Sequence, residues 1–245
     1  MITPLLLAAA LQSQAIGGYS AGCLSGAQAL PLTGIGYEVI RTERARYFGH
    51  PSLIDYLTHL SRAAHRAGLP ALYIGDMAMQ RGGPFSSGHR SHQSGLDADI
   101  WFRMGNRPIK ASEKREPAEW PLVDESTYKM LPGRFGHDQL TLLRLAASAP
   151  EVDRIFVHPV IKQAVCKQAP EAAWVQKLRP WVGHFSHFHV RLHCPAGSAL
   201  CVPQAPIPAG NGCGEELASW LKDKPRLPKT PSKALPMPAL PAACR

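Results

Sequence analysis

Two short segments about ninety residues apart constrain this chain more than anything else in it: Ser91-His92-Gln93-Ser94-Gly95-Leu96-Asp97-Ala98-Asp99 and His184-Phe185-Ser186-His187-Phe188-His189. In an extended strand, alternate side chains share a face. His187 and His189 therefore project to one side, while Phe188, Val190 and Leu192 project to the other, as a core requires. The same alternation sends Leu96, Ala98 and Ile100 one way and both Asp97 and Asp99 the other, with His92 on the glycine-containing approach. Imidazole and carboxylate ligands with one position left open are what a catalytic zinc needs. His92, Asp99 and His189 are therefore candidate ligands. Periodicity does not choose which of Asp97 and Asp99 binds a metal and which supports an imidazole from behind. His50, His59, His65, His137, His158 and His193 lie outside the clusters and read as ordinary surface or partly buried histidines.

The two segments can meet only if both belong to one folded unit, and 245 residues suffice for a full core. The formal charge of +9 is uneven. Lys222, Lys224, Arg226, Lys229, Lys233 and Arg245 against Asp223 put +5 beyond Trp220, so the rest of the chain is only mildly basic. No basic-aromatic stripe or nucleic-acid module accompanies that charge, which argues against a nucleic-acid partner; an anionic polymer such as a cell wall would attract it equally. Six cysteines (Cys23, Cys166, Cys194, Cys201, Cys213, Cys244) contain no CxxC pair and read as three disulfides in an oxidising compartment. Cys244 ends a proline-rich segment with little means of packing, so its use is to staple that tail onto the body.

Residues 5–11 form a short apolar run, with Ser13 and Ala15 as small residues at a cleavage position and no Lys or Arg before it. This defines a short signal peptide over 1–15, a domain over 16–220 and a Lys/Pro-rich tail over 221–245. Nothing later reaches the apolar length of a membrane span. Tyr37-Glu38-Val39-Ile40 reads as a strand, Leu53, Leu57, Leu60 and Ala64 as one face of a helix ending at Gly68, and Ala71-Leu72-Tyr73-Ile74 as a buried strand. Residues 79–88 form a Gly/Ser/Pro loop suited to lining a site, and the polar stretch 107–129 reads as a mobile loop over it. A helix over 139–149, a strand at Arg154-Ile155-Phe156-Val157 and two short helices over 160–168 and 171–178 precede the second His segment. The six prolines after Leu221 preclude regular structure there. Helices and strands without strict alternation give an α+β single domain, with a central, mainly antiparallel sheet carrying the site.

At these residues the chain resembles the penicillin-insensitive murein endopeptidases, within the wider group of lysostaphin-type, D-Ala-D-Ala-cleaving and hedgehog-like zinc folds. The likeness rests on Gly88-His89-Arg90-Ser91-His92 through Asp99-Ile100, with its His-x6-Asp spacing, and on Arg179-Pro180-Trp181, His184 and His187-Phe188-His189-Val190-Arg191-Leu192. The resemblance implies a periplasmic Zn2+ endopeptidase that hydrolyses D-alanyl to meso-diaminopimelyl cross-links in peptidoglycan without an acyl-enzyme serine. It implies His92, Asp99 and His189 as zinc ligands, His89 as a further metal position, and His184 and His187 as the non-ligand histidines. It also implies the pairs Cys23 with Cys244, Cys166 with Cys213, and Cys194 with Cys201. Where family members carry an Asp and a His for a second metal, this chain has Ser126-Thr127-Tyr128-Lys129, which speaks against a second zinc. His187 is assigned as proton acceptor, and His184 as oxyanion stabiliser or substrate orienter. Arg90 and Arg191 are candidates for substrate carboxylates, against the plainer reading of paired arginines. The rival functions are a D-Ala-D-Ala carboxypeptidase or dipeptidase and a non-catalytic wall-binding zinc module.

Overall fold

The computed structural model describes residues 12–86, 88–106, 108–226 and 237–245. Strands β1 (Gln14–Gly18), β2 (Ala21–Ser25), β3 (Gln28–Ala29), β4 (Thr33–Gly34), β5 (Tyr37–Val39) and β6 (Phe48–Gly49) lead to helix α1 (Pro51–Arg66). Strand β7 (Ala71–Ile74) and the long β8 (Asp97–Gly105) follow, then α2 (Ala111–Arg115), β9 (Val123–Asp124), β10 (Lys129–Met130) and α3 (His137–Ser148). The remainder is β11 (Val152–Val157), α4 (Pro159–Gln168), β12 (Leu178–Pro180), β13 (His187–Leu192) and α5 (Glu215–Asp223).

Seven strands make one mixed sheet in the order β12-β11-β13-β8-β7-β5-β4. The pairings at its centre, β11 with β13, β13 with β8 and β8 with β7, are antiparallel; β12 with β11 and β5 with β7 are parallel. The fold is thus α+β with a mainly antiparallel centre, as the alternating segments imply. Ala98, Ile100, Phe188 and Val190 turn their side chains away from the site into one core shared with Leu53, Leu57 and Leu60 of α1 and Leu142, Leu143 and Ala146 of α3. That apolar face holds β8 and β13 in register, since a one-residue slip would turn it to water.

Both α1 and α4 begin with His-Pro. His50 and His158 are the N-caps, each accepting through Nδ1 from the backbone N–H two residues on, Ser52 and Val160, at 3.2 Å. Proline at the first helical position surrenders an N–H that would be orphaned anyway. Both histidines are buried, further in than the surface or partly buried reading, and each has a structural role as a helix cap.

The stretch 107–129 is not a loop over the site. Its described residues hold α2 and β9, and they are tied down by Ile109 packed with Ile40, Tyr73 and Trp101, and by Leu122, Val123 and Tyr128 in the main core. The segment expected as a helix over 171–178 is a 3-10 turn, Ala173–Lys177, because Leu178 already pairs with Ile155 in the parallel β12–β11 ladder. All three disulfides form with the pairing the resemblance implies. Regular structure reaches into the tail: α5 runs to Asp223, and Ala242–Cys244 makes a 3-10 turn where Cys244 meets Cys23 of β2. The apolar run at 5–11 lies outside the described residues, and the expected boundary after residue 15 falls within β1, where Ala15 is fully buried. Among the described residues no helix is long and apolar enough to cross a membrane.

Candidate metal centre

The β8–β13 register places His189 opposite Asp99 and Arg191 opposite Asp97. Both carboxylates and both β13 imidazoles thereby share one face, as alternation predicts. Asp99 is the hub. Its Oδ2 lies 3.1 Å from His89 Nε2, and its Oδ1 lies 3.3 Å from His189 Nδ1, 3.4 Å from His92 Nε2 and 3.7 Å from His187 Nε2. One ligand atom from each of His89, His92, Asp99 and His189 falls within 4.8 Å of the others, so this group could hold a metal ion.

The hydrogen bonding tests that fit. His92 is wholly buried with neither ring nitrogen hydrogen-bonded, and Asp99 Oδ1 is likewise buried without a hydrogen bond. A buried polar group left unsatisfied costs about 1–3 kcal/mol, and several in one place demand a shared partner. Three imidazoles and one carboxylate are a donor set that suits zinc. The residues fit a metal ion.

Asp97 is held differently. It accepts from Arg191 Nε at 2.8 Å and Nη2 at 3.2 Å and from the His92 backbone N–H at 2.9 Å, and its Oδ1 lies 3.1 Å from His189 Nε2. Asp97 therefore stands behind His189, on the ring edge away from Asp99. Burial pushes the Asp97 carboxyl up, but Arg191 and His189 outweigh it and hold it far below the usual range. Arg191 is spent on this carboxylate and on Gln204 at 2.6 Å, stacked between Tyr19 and Phe156, which settles it as a paired arginine. Arg90 is exposed on the rim of the cleft.

Burial likewise raises Asp99, and His89, His92 and His187 outweigh it and hold the carboxylate ionised. Attraction to Asp99 pulls the His89 pKa up, yet burial and the other three histidines bring it down to about 4. Burial lowers both His184 and His187, so each is neutral near pH 7. His184 Nδ1 lies 2.8 Å from the Val182 carbonyl, which only accepts; the proton is on Nδ1, and neutral His184 presents Nε2 as an acceptor. His184 and His187 sit with ring centroids 5.1 Å apart.

These histidines open on a cleft of about 660 Å³ lined also by Ser20, Arg90, Phe156, Trp181 and Gln204. Among the described residues of the 79–88 loop only Gly88 reaches it; the Gln80–Gly83 part packs behind β2 instead. Ser126 and Thr127 are occupied in a turn that donates to Asp124, apart from the cluster. Sequence reasoning missed the supports behind this cluster. Phe85 stacks on His92 at 5.7 Å under the Arg46 guanidinium. Asp76 accepts from Arg44 at 3.0 Å and Arg46 at 2.8 Å, and its backbone carbonyl takes the Asp99 N–H at 3.0 Å. The signal available for Asp76 was its position just beyond the buried β7.

The sequence profile described as penicillin-insensitive murein endopeptidase matches residues 15–245. A protein of that name from Haemophilus influenzae is 47% identical over 231 residues, covering 94% of this chain and 80% of its own length. One from Klebsiella pneumoniae is 44% identical over 234 residues, 95% of this chain and 85% of its own. One from Yersinia pestis is 45% identical over 233 residues, 95% and 84% respectively. A match of this extent, on a chain whose β8 and β13 build a His/Asp cluster in an open cleft, places the protein in the penicillin-insensitive murein endopeptidase family.

Proposed function

We propose that this protein is a zinc-dependent endopeptidase of the periplasm that hydrolyses the D-alanyl to meso-diaminopimelyl cross-link of peptidoglycan. The observation that carries the reading is the convergence of His89, His92 and His189 on Asp99 with two neutral histidines, His184 and His187, beside them in one cleft. The names of the relatives support murein as substrate, and three disulfides suit an oxidising compartment.

His92, Asp99 and His189 would hold the ion, with His89 as the further imidazole. When bound, Zn2+ supplies Lewis acidity that polarises a carbonyl and lowers the pKa of a water. His187, the non-ligand imidazole nearest the Asp99 hub, takes the proton of the attacking water and returns it to the departing amine. His184, its Nδ1 proton committed to Val182, offers Nε2 to an N–H of the substrate. That tautomer supports the orienting role over oxyanion stabilisation, which would need a protonated ring. No serine carries an acyl group in this scheme, so a β-lactam has no ester to form.

The test is incubation of the zinc-loaded protein with cross-linked dimeric muropeptides, beside a chelated control, with products identified by mass spectrometry. Chelator-sensitive release of intact tetrapeptide monomers is expected. Loss of terminal D-Ala alone would instead indicate a carboxypeptidase, and no reaction in zinc-replete protein a wall-binding module.

A further inference from the structure

Trp181 is 51% exposed on the rim of the cleft that holds His184, His187 and His189. It follows directly on β12, and its backbone N–H donates to the Val157 carbonyl at 2.8 Å. Its ring meets Phe156 of β11 edge-on at 5.7 Å and Trp220 of α5 at 5.8 Å, inclined by 49°. Two aromatic neighbours thus brace the indole from the protein side, while on the order of 100 Å² of ring surface is left in water. A braced ring loses little side-chain freedom when something lies against it, so contact made there is not offset by ordering.

The ledge is continuous with the metal cluster. Phe156 stands opposite His189 in the β11–β13 register, and their ring centroids are 5.4 Å apart. Trp181 is therefore two ring contacts from His189, on the β12 side of the sheet.

We propose that Trp181, backed by Phe156 and Trp220, is a stacking platform for an N-acetylhexosamine ring of the glycan strand that bears the stem peptide being cut. This rests on the murein endopeptidase reading. Stem peptides offer methyl groups, carboxylates and a short methylene chain, none with an extended flat apolar face. A pyranose ring has such a face, made of C–H bonds whose positive ends suit the negative face of an indole, with hydroxyls left at the edge for water. Reach agrees. The four residues from the sugar to the scissile carbonyl span at most about 14 Å when extended, and a ring two contacts from His189 lies inside that radius. The polar lining at Ser20, Ser91 and Gln204 is left for the peptide.

Two measurements on the full zinc-loaded chain test this. In the first, glycan strands stripped of peptide by an amidase are titrated while indole N–H resonances are followed by NMR. The Trp181 signal, identified by its absence in Trp181→Leu, is expected to shift saturably, and Trp181→Leu to bind about five- to tenfold more weakly. No binding by the wild type, or equal binding by Trp181→Leu, overturns the platform. In the second, kcat/KM is compared between cross-linked dimers that carry their disaccharides and the same dimers with the sugars removed. The wild type is expected to prefer the sugar-bearing substrate, through KM, and Trp181→Leu to lose most of that ratio while Trp181→Phe regains part. A ratio unaltered by Trp181→Leu means a purely structural ring and overturns the proposal. A wild type that cleaves neither substrate refutes the endopeptidase reading, while the titration still decides whether the ledge takes sugar.

Discussion

His92 is held at φ 69°, in the left-handed region that a residue with a bulky side chain enters only at a cost, here of about 1–3 kcal/mol. The Asp97 carboxylate pays for that conformation, taking the His92 N–H at 2.9 Å while it also abuts His189 and binds Arg191. One buried side chain thus positions two of the three proposed ligands without being one. Asp97→Asn keeps an acceptor for the His92 N–H but loses the charge that orients His189. It should weaken metal affinity about 10- to 100-fold, read by competition with a chromophoric chelator. His187→Ala should lower turnover about 10²- to 10⁴-fold with metal content unchanged at one per chain by elemental analysis; loss of the metal would make His187 a ligand instead.

At the scale of elements, the two His-Pro helix starts couple secondary structure to pH. Burial lowers the His158 pKa to about 4, whereas in the unfolded chain it titrates near 6.5. Between those values the unfolded state binds more protons than the folded one, so stability rises with pH and is lost as pH falls from about 6.5 towards 4, by at most about 3 kcal/mol. His158→Asn retains a side chain able to cap α4 and removes the titration. Urea unfolding of the variant between pH 7 and 4 should therefore show a flatter loss than the wild type, and an equal slope would place the acid sensitivity elsewhere. Strands β8 and β13 and the apolar face of α1 were legible in the sequence because each is a local period. The short β12 was not. Its Leu178-Arg179-Pro180 carries too few residues to show alternation, and its pairing with Ile155, Phe156 and Val157 makes it a strand.

Over the whole molecule, the Cys23–Cys244 bond closes a loop with a sequence separation of 221 and ties the C-terminal turn to β2. Loop-closure entropy for so long a span gives a stabilisation of roughly 5 kcal/mol as an upper value. Replacing both cysteines by serine should lower the urea midpoint strongly. The bond lies on the groove lined by Cys23, Gln80 and Leu240, away from the cleft, so kcat on muropeptides should change less than twofold. A large fall in kcat would show that the tail supports the catalytic cleft.

By itself the sequence determined the chemistry available: which residue types occur, and that two alternating segments each present ligands on one face and apolar groups on the other. Those are properties of neighbours along the chain. The resemblance had already implied Asp99 as a ligand, but only the tertiary structure shows Asp99 surrounded by imidazoles and Asp97 bound by Arg191, because that difference depends on the β8–β13 register that sets His189 against Asp99 and Arg191 against Asp97. It alone decided that Arg191 is spent internally, and that the polar stretch after Gly105 is anchored by Ile109, Leu122 and Val123 rather than poised over the site. Register and burial are set by partners far away in the chain, so no local pattern carries them.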